Sequence, residues 1–164
     1  MKTSTDLHRV ELSVRSETYD YRTPMKFGGR VVTDVTVVSV DCNAETASSN
    51  ATGLGSMTMG VAWAWPDPSV GDTEKLDIVV ELLHRIAKAY SESGVAGHPL
   101  DICHELIPLR ESIAKDLATE RKLASPIPDL AVLLAASPVE AALFDAHGKA
   151  AGQSSYALLS QPHL

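Results

Sequence analysis

The spacing of apolar residues changes at Pro66, and this change constrains the possible folds more than any other feature of the chain. Before Pro66, apolar residues recur at every second position, which is the period of a half-buried strand. After Pro66, they follow the i, i+3, i+4, i+7 spacing of an amphipathic helix. Because strands come first and helices follow, the sequence predicts an α+β fold.

The first two strands are predicted on either side of a loop. Val10, Leu12 and Val14 alternate with polar residues and predict the first strand. Residues 19–29 are predicted as a loop, because proline and a glycine pair interrupt the pattern. Residues 31–42 are rich in Val and Thr and predict a long second strand. Its apolar phase switches between Val37 and Val38, which indicates either a bulge or burial on both faces.

The third strand is predicted after a small, polar hairpin connection over residues 44–51. It follows the triplet Gly53-Leu54-Gly55 and takes in alternating large apolar side chains, which are Met57, Met59, Val61, Trp63 and Trp65. Three successive strands that are joined by loops favour an antiparallel β-meander.

The clearest helix is predicted from a cap at Asp72 or Thr73 to about Ser93, where Gly94 stops it. Its apolar stripe consists of Leu76, Val79, Val80, Leu83, Ile86, Ala87 and Tyr90. A second helix is predicted from Pro99, and Pro108 is expected to kink or divide it. Its predicted apolar face consists of Ile102, Leu106, Leu109, Ile113 and Leu117.

The last helical stretch is predicted to begin at Asp129 and to end at Gly152. Residues 137–140 (SPVE) have the form of a capping box with proline at the first helical position. This stretch therefore either starts a new helix or continues the existing one through a bend.

Composition limits the function classes. The 164 residues are 45% hydrophobic and carry a formal charge of −7, as expected for one globular domain over residues 1–164. No basic stripe is present, so nucleic acid is not an expected partner. The N-terminus lacks the apolar core of a signal peptide, and the apolar run at residues 130–136 is too short to span a bilayer. We expect a cytoplasmic protein, without a membrane partner, in which Cys42 and Cys103 are buried free thiols.

The segment at residues 142–152 (ALFDAHGKAAG) carries the strongest resemblance to known proteins. It resembles the A-x-(aromatic or His)-D-x-x-G-K-x-x-G signature of mandelate racemase/muconate lactonizing enzymes, a group of the enolase superfamily, where it closes the N-terminal domain. Residues 21–28 (YRTPMKFG) resemble the first mobile loop of that family, and Gly53-Leu54-Gly55 its G-x-G. The resemblance covers residues 7–159, with Ser56 and Ser160 standing where many relatives have Glu and Gly.

The resemblance implies an N-terminal capping domain, in which a three-stranded antiparallel meander precedes a helical bundle. No (β/α)₈ barrel fits in this chain, because such a barrel needs roughly 200 residues or more. In the family, the barrel holds Mg²⁺ and supplies the bases that remove the proton α to a carboxylate. The reaction is that of a racemase, epimerase, cycloisomerase or acid-sugar dehydratase. No catalytic residue, metal ligand or cofactor is therefore expected in this chain, and Mg²⁺ is implied for the parent barrel.

The resemblance also supplies candidate site residues and partners. The substrate-capping candidates are Tyr19, Tyr21, Arg22, Met25, Lys26, Phe27 and Trp63, with cations facing an anionic substrate and aromatic residues forming an apolar wall. The expected partners are the C-terminal barrel, a small carboxylate substrate and further copies of the chain, as a homo-oligomer.

The signature also has a physical interpretation that is independent of the family. Asp145 and Lys149 are four residues apart on a helix and can pair. Gly148 would allow another element to approach closely, and Gly152 can adopt a positive φ. We expect these four residues to order the end of the helix rather than to take part in chemistry.

Other sites are weaker on geometric grounds. His98, Cys103 and His104 suggest zinc, but adjacent residues point about 100° apart on a helix, and no second ligand pair completes a tetrahedral set. The same geometry argues against a Cys103–His104 nucleophile and base. Scattered loop carboxylates, which are Asp41, Glu45, Asp67 and Asp72, are expected to be solvated, and His147 to be packed or exposed rather than catalytic.

Two alternatives to an enzyme's capping domain remain open. One is a free-standing binding or assembly module that has kept the capping fold. The other is an independent enzyme that uses its own residues.

Overall fold

A computed structural model describes residues 5–27 and 29–160, with Phe27 described by its backbone alone. Three strands precede the helices, as the sequence predicts, and five α-helices are described. The strands are β1 (Arg9–Phe27), β2 (Arg30–Glu45) and β3 (Asn50–Thr58), and they form one antiparallel sheet in the order β1-β2-β3. The helices are α1 (Val61–Ala64), α2 (Asp72–Glu92), α3 (Pro99–Glu105), α4 (Ile107–Glu120) and α5 (Asp129–Ala151), followed by a 3₁₀ turn, Ala157–Leu159. The predicted α+β meander is confirmed.

Residues 19–27 were expected to form a loop, and this expectation is wrong. They continue β1, in which Tyr19, Asp20 and residues 25–27 pair with β2, the last pair being Phe27 and Arg30. The register shifts between Asp20 and Met25, where β1 supplies four residues opposite one residue of β2. Pro24 lies inside this bulge, so its missing N–H removes no bond from the ladder.

Of the two explanations for the phase switch in β2, the bulge is absent from the described pairing. The register of β2 runs without interruption through Val37 and Val38 against both neighbouring strands. Val38, Val40, Cys42 and Ala44 face the core and are buried, whereas Val37 lies on the opposite face and is half-buried. The phase switch therefore reflects burial on both faces.

The third strand lies earlier in the chain than predicted. β3 ends at Thr58, and the segment that contains Val61 and Trp63 forms the short helix α1. The N–H of Met59 still bonds to the carbonyl of Thr36 at 2.8 Å, which fixes the chain to β2 before it turns away. The alternation of residues 59–65 therefore does not continue the ladder.

The helix predictions are largely confirmed. The N-cap of α2 is Gly71, one residue before the first of the two predicted caps, Asp72 and Thr73. Gly94 follows the end of the helix and has φ +67°. The helix from Pro99 is divided at Leu106, where Pro108 lies in the first turn of α4. α5 is one continuous helix with Pro138 inside it, so the capping-box sequence starts no new helix.

The core lies between the helices and one face of the sheet. α5 packs on β3 and β2, and α2 packs on α5 and β1. α5 is long and apolar enough to cross a membrane, but 61% of its most apolar window is buried inside the protein. Its composition is therefore accounted for by its central position in the core.

Candidate functional site

The predicted capping residues lie on a two-stranded ribbon, which comprises residues 19–27 of β1 and 30–35 of β2. The ribbon extends past the end of β3, because β3 pairs with β2 only from Val37 onward. Directly opposed residues of an antiparallel pair point to the same face. Tyr19 opposes Val35 and Lys26 opposes Val31, so these four residues share the outer face of the sheet. Met25 opposes Val32 on the other face, so the structure divides the predicted site between two faces.

The ribbon exposes both apolar and cationic groups. Tyr19, Tyr21 and Met25 are exposed, and Val31 is 62% exposed. Arg22 and Lys26 are also exposed, and neither forms an ion pair within residues 5–27 and 29–160. The side chain of Phe27 lies outside the description.

Tyr19 is anchored within β1. Its hydroxyl donates a hydrogen bond to the carboxylate of Glu17, and this bond together with the negative charge raises the pKa of Tyr19. The Tyr19 hydroxyl therefore stays protonated at neutral pH.

The two tryptophans have different environments. Trp65 is 2% exposed and belongs to the core, whereas Trp63 on α1 is 43% exposed. α1 begins near the base of the ribbon, because Met59 bonds to Thr36 and Thr36 opposes Thr18. Of the two, Trp63 is thus the residue available to a ligand or partner.

An ion-paired group that the sequence reasoning missed lies at the tip of the ribbon. Arg30 donates to the Asp72 carboxylate at 2.5 and 2.6 Å, and the Lys75 ammonium lies 3.4 Å from the same carboxylate. Asp72, expected to be a solvated loop residue, is thus in the first turn of α2 and ion-paired. The sequence does contain a signal for this group. Lys75 lies three residues before Ile78, so the two side chains share one face of α2, and a lysine on a buried face needs an acidic partner.

The signature residues Asp145 and Lys149 bind the free edge of the sheet. Asp145 accepts the N–H of Leu54 at 2.8 Å, and Lys149 donates to the carbonyl of Thr52 at 3.1 Å. The two side chains also pair with each other at 2.7 Å. Burial acts to raise the pKa of Asp145, but the bonds from Lys149 and Leu54 outweigh it and hold this pKa below its ordinary value. These residues satisfy polar groups that an edge strand leaves unpaired.

The glycines of the signature permit close packing at the end of α5. Gly152 adopts φ +63°, and the N–H of Gln153 bonds to the carbonyl of Gly148 at 3.0 Å. A β-carbon on Gly148 would lie 2.9 Å from both the Gln153 oxygen and the Ser155 nitrogen. The chain therefore folds back over Gly148 as it leaves the helix.

The G-x-G triplet allows α5 to approach the sheet. A β-carbon on Gly53 would overlap the backbone of Ala142 and Ala146, and one on Gly55 would overlap the backbone of Pro138 and Ala142. The middle residue, Leu54, lies on the outer face and is exposed. Both glycines are thus required by a backbone contact between β3 and α5.

The residues that suggested zinc have other environments. The Nδ1 atom of His98 accepts the N–H of Leu100 at 3.1 Å at the start of α3, and the His98 ring packs edge-on against His147 at 4.7 Å. Both imidazoles are buried. Within the described ranges, no three His, Cys, Asp or Glu side chains are grouped so that they could hold a metal ion.

The two cysteines are free and buried. Burial raises the pKa of Cys42 to about 12, and burial followed by the charge of Glu140 raises that of Cys103 to about 12. Both thiols are therefore protonated at neutral pH and are poor nucleophiles.

Comparison with known proteins gives matches at the level of structure. No protein-family model matches the chain, and no curated protein matches it in sequence. L-Talarate/galactarate dehydratase from Salmonella typhimurium LT2 is 16% identical with a TM-score of 0.54, over 98% of this chain and 35% of that chain. L-Talarate dehydratase from Polaromonas sp. JS666, complexed with Mg and L-glucarate, is 18% identical with a TM-score of 0.53, over 94% of this chain and 35% of that chain.

A third solved structure is a dipeptide epimerase from Enterococcus faecalis V583, complexed with Mg and a dipeptide. It is 15% identical with a TM-score of 0.50, over 98% of this chain and 35% of that chain. The chain thus spans about a third of the length of these enzymes and has the fold of their N-terminal part. At these identities, the likeness establishes the fold alone.

Proposed function

We propose that this chain is the N-terminal capping domain of an enolase-superfamily enzyme of the mandelate racemase/muconate lactonizing type. The observation that carries the proposal is that nearly the whole chain matches about a third of each of these enzymes. The signature segment and the G-x-G triplet, on which the sequence resemblance depends, also meet in one contact between α5 and β3.

In this proposal, the ribbon and Trp63 face the substrate. Arg22 and Lys26 are exposed cations that would attract a carboxylate through long-range electrostatics. Tyr19 on the outer face of the ribbon, Met25 on its other face and Trp63 on α1 are exposed apolar groups. Those on the face that closes the barrel would exclude water from a reacting centre. Tyr21 and Phe27 stay candidates for substrate contact because both residues belong to the ribbon.

The chemistry itself is assigned to a barrel, which is the proposed C-terminal partner. Mg²⁺ bound there would stabilise the enolate that forms when the proton α to a carboxylate is removed. The described residues of this chain do not group into ligands for such an ion. In this proposal, the chain closes the site and shapes specificity for a small carboxylate, such as an acid sugar.

The proposal is tested by the size of the native protein. An antibody raised against this chain should detect, in cells of the source organism, either a polypeptide longer by roughly 200 residues or more, or a barrel that co-precipitates. A native species of 17.5 kDa without a barrel partner would overturn it. That result would instead support a free-standing binding or assembly module.

Activity provides a second test. The isolated chain should not exchange the α-proton of hydroxy acids for deuterium in the presence of Mg²⁺, as followed by NMR. Exchange above the buffer rate that chelation abolishes would contradict the non-catalytic role.

A further inference from the structure

Lys75 is a charged side chain in the protein core. It lies on the inner face of α2, three residues before the fully buried Ile78, and its side chain is 0% exposed. A buried ammonium is stable only with a counter-charge close to it, because burial removes its hydration. The Asp72 carboxylate, one helical turn away at 3.4 Å, is bonded to the Lys75 ammonium, and the charge of Asp67 also interacts with Lys75.

The same carboxylate faces outward to the ribbon. Asp72 is 51% exposed and accepts the guanidinium of Arg30 on both of its oxygens. Arg30 is the first residue of β2 and lies opposite Phe27 at the tip of the ribbon. Burial acts to raise the pKa of Asp72, but the bonds from Arg30 and Lys75 outweigh it, so the pKa is lowered and the carboxylate stays ionised.

We propose that Lys75, Asp72 and Arg30 form a latch that holds the tip of the ribbon against the first turn of α2. An isolated surface ion pair contributes little, because two mobile side chains must be fixed for one contact. Here Asp72 cannot move away without separating the buried Lys75 from the carboxylate that is bonded to it. Arg30 therefore meets a partner that is already fixed, and only its own side chain loses freedom.

The latch makes these three residues positioning residues for the ribbon. This role rests on the proposed function, in which the ribbon carries the substrate-facing groups Tyr19, Met25 and Lys26. The latch itself needs neither barrel nor substrate, so it is measured on this chain alone. Failure of the proposed function would leave the latch result unchanged.

The test is amide hydrogen exchange of the ribbon, with the amides of residues 38–44 in the same β2 strand as an internal reference. Arg30→Gln and Asp72→Asn should each accelerate exchange at residues 25–27 and 30–32 by about twofold to fivefold, the range of a partly exposed ion pair. The decisive variant is Lys75→Met, which keeps the buried volume but removes the charge. It should accelerate ribbon exchange although Lys75 makes its contact with Asp72 rather than with the ribbon.

Two controls separate a latch from general destabilisation. Arg15→Gln removes a surface ion pair with Asp41 elsewhere in the same sheet and should leave the ribbon tip unchanged. Arg30→Lys should restore part of the protection that Arg30→Gln removes. If Lys75→Met fails to fold, the coupling between Arg30 and Asp72 can still be measured with the two single variants and the double variant. The effects of Arg30→Gln and Asp72→Asn on ribbon exchange should then be non-additive.

The proposal is overturned if ribbon exchange is unchanged in folded Arg30→Gln, Asp72→Asn or Lys75→Met. It is also overturned if Arg30→Gln and Asp72→Asn combine additively. An equal acceleration of residues 38–44 would likewise show a global loss of stability rather than release of the ribbon.

Discussion

Asp145 accepts a hydrogen bond from the backbone N–H of Leu54 at 2.8 Å, although the two residues are 91 positions apart. The bond joins the last helix to the edge strand of the sheet. It gives the acidic residue of the signature a structural task, because the N–H of an edge strand otherwise has no partner in the protein. The stabilising role of the motif therefore extends beyond the end of its own helix.

We expect Asp145→Asn to lower the free energy of unfolding by about 1–2 kcal/mol, because a charged acceptor for a backbone N–H is lost together with an ion pair. Lys149→Met removes the ion pair and the bond to the carbonyl of Thr52 but leaves the bond to Leu54 in place, so it should cost less, about 0.5–1 kcal/mol. Urea titrations at pH 7 measure both. A loss below about 0.5 kcal/mol for Asp145→Asn, the value of the ion pair alone, would show that the bond to Leu54 contributes nothing.

The pH dependence of this contribution has a defined sign. The folded pKa of Asp145 lies below its unfolded value of about 3.9. Its stabilisation is therefore present above about pH 3.9 and is lost as the pH falls through the lower folded pKa. Urea titrations from pH 7 to pH 2.5 should show wild type and Asp145→Asn converging in acid.

The two glycines of β3 should tolerate no side chain. Gly53→Ala and Gly55→Ala are each expected to destabilise the protein by about 1–3 kcal/mol or more, because a methyl group would push α5 away from the sheet. Leu54→Ala, on the exposed face of the same strand, should change stability by less than about 1 kcal/mol. Thermal unfolding of the three variants provides the comparison. Wild-type stability in either glycine variant would contradict the tight contact.

The thiols of Cys42 and Cys103 should react with a thiol reagent at pH 8 only after unfolding, because burial raises the pKa of each to about 12. Protonated buried thiols also favour the folded state below the unfolded pKa of about 8.5, and this contribution is lost as the pH rises from there towards 12. Labelling with and without denaturant, followed by intact mass, measures the difference. Rapid labelling of the folded protein would show that the thiols are accessible.

We expect concentration-dependent self-association of the isolated chain, despite its charge of −7. The exposed apolar residues include Val31 on the ribbon, Trp63 on α1 and Tyr156, which is 84% exposed. Large exposed apolar side chains favour association with a partner. Sedimentation velocity over a hundredfold concentration range is the test. A strictly monomeric chain that binds no apolar dye would favour a domain that is stable on its own.

The sequence by itself determined the order and type of most elements. The change of period at Pro66 separates sheet from helices, the apolar stripe of α2 marks its buried face, and glycines with positive φ follow α2 and α5 as predicted. Pro108 divides two helices for a local steric reason. These features depend on neighbouring residues along the chain, so periodicity and backbone preference are enough to predict them.

Only the tertiary structure decided which distant segments contact one another. Residues 19–27 form a strand because β2 pairs with them, and a bulge accommodates Pro24, which by itself predicts a loop. The two glycines of β3 are required because the backbone of α5 packs directly on them. The burial of Lys75 is possible because Asp72, which also binds Arg30, lies beside it. The spacing of apolar residues predicts which face of a helix or strand is buried, but not which element packs on it. Close approach, edge pairing and buried charge are therefore properties of the assembled fold.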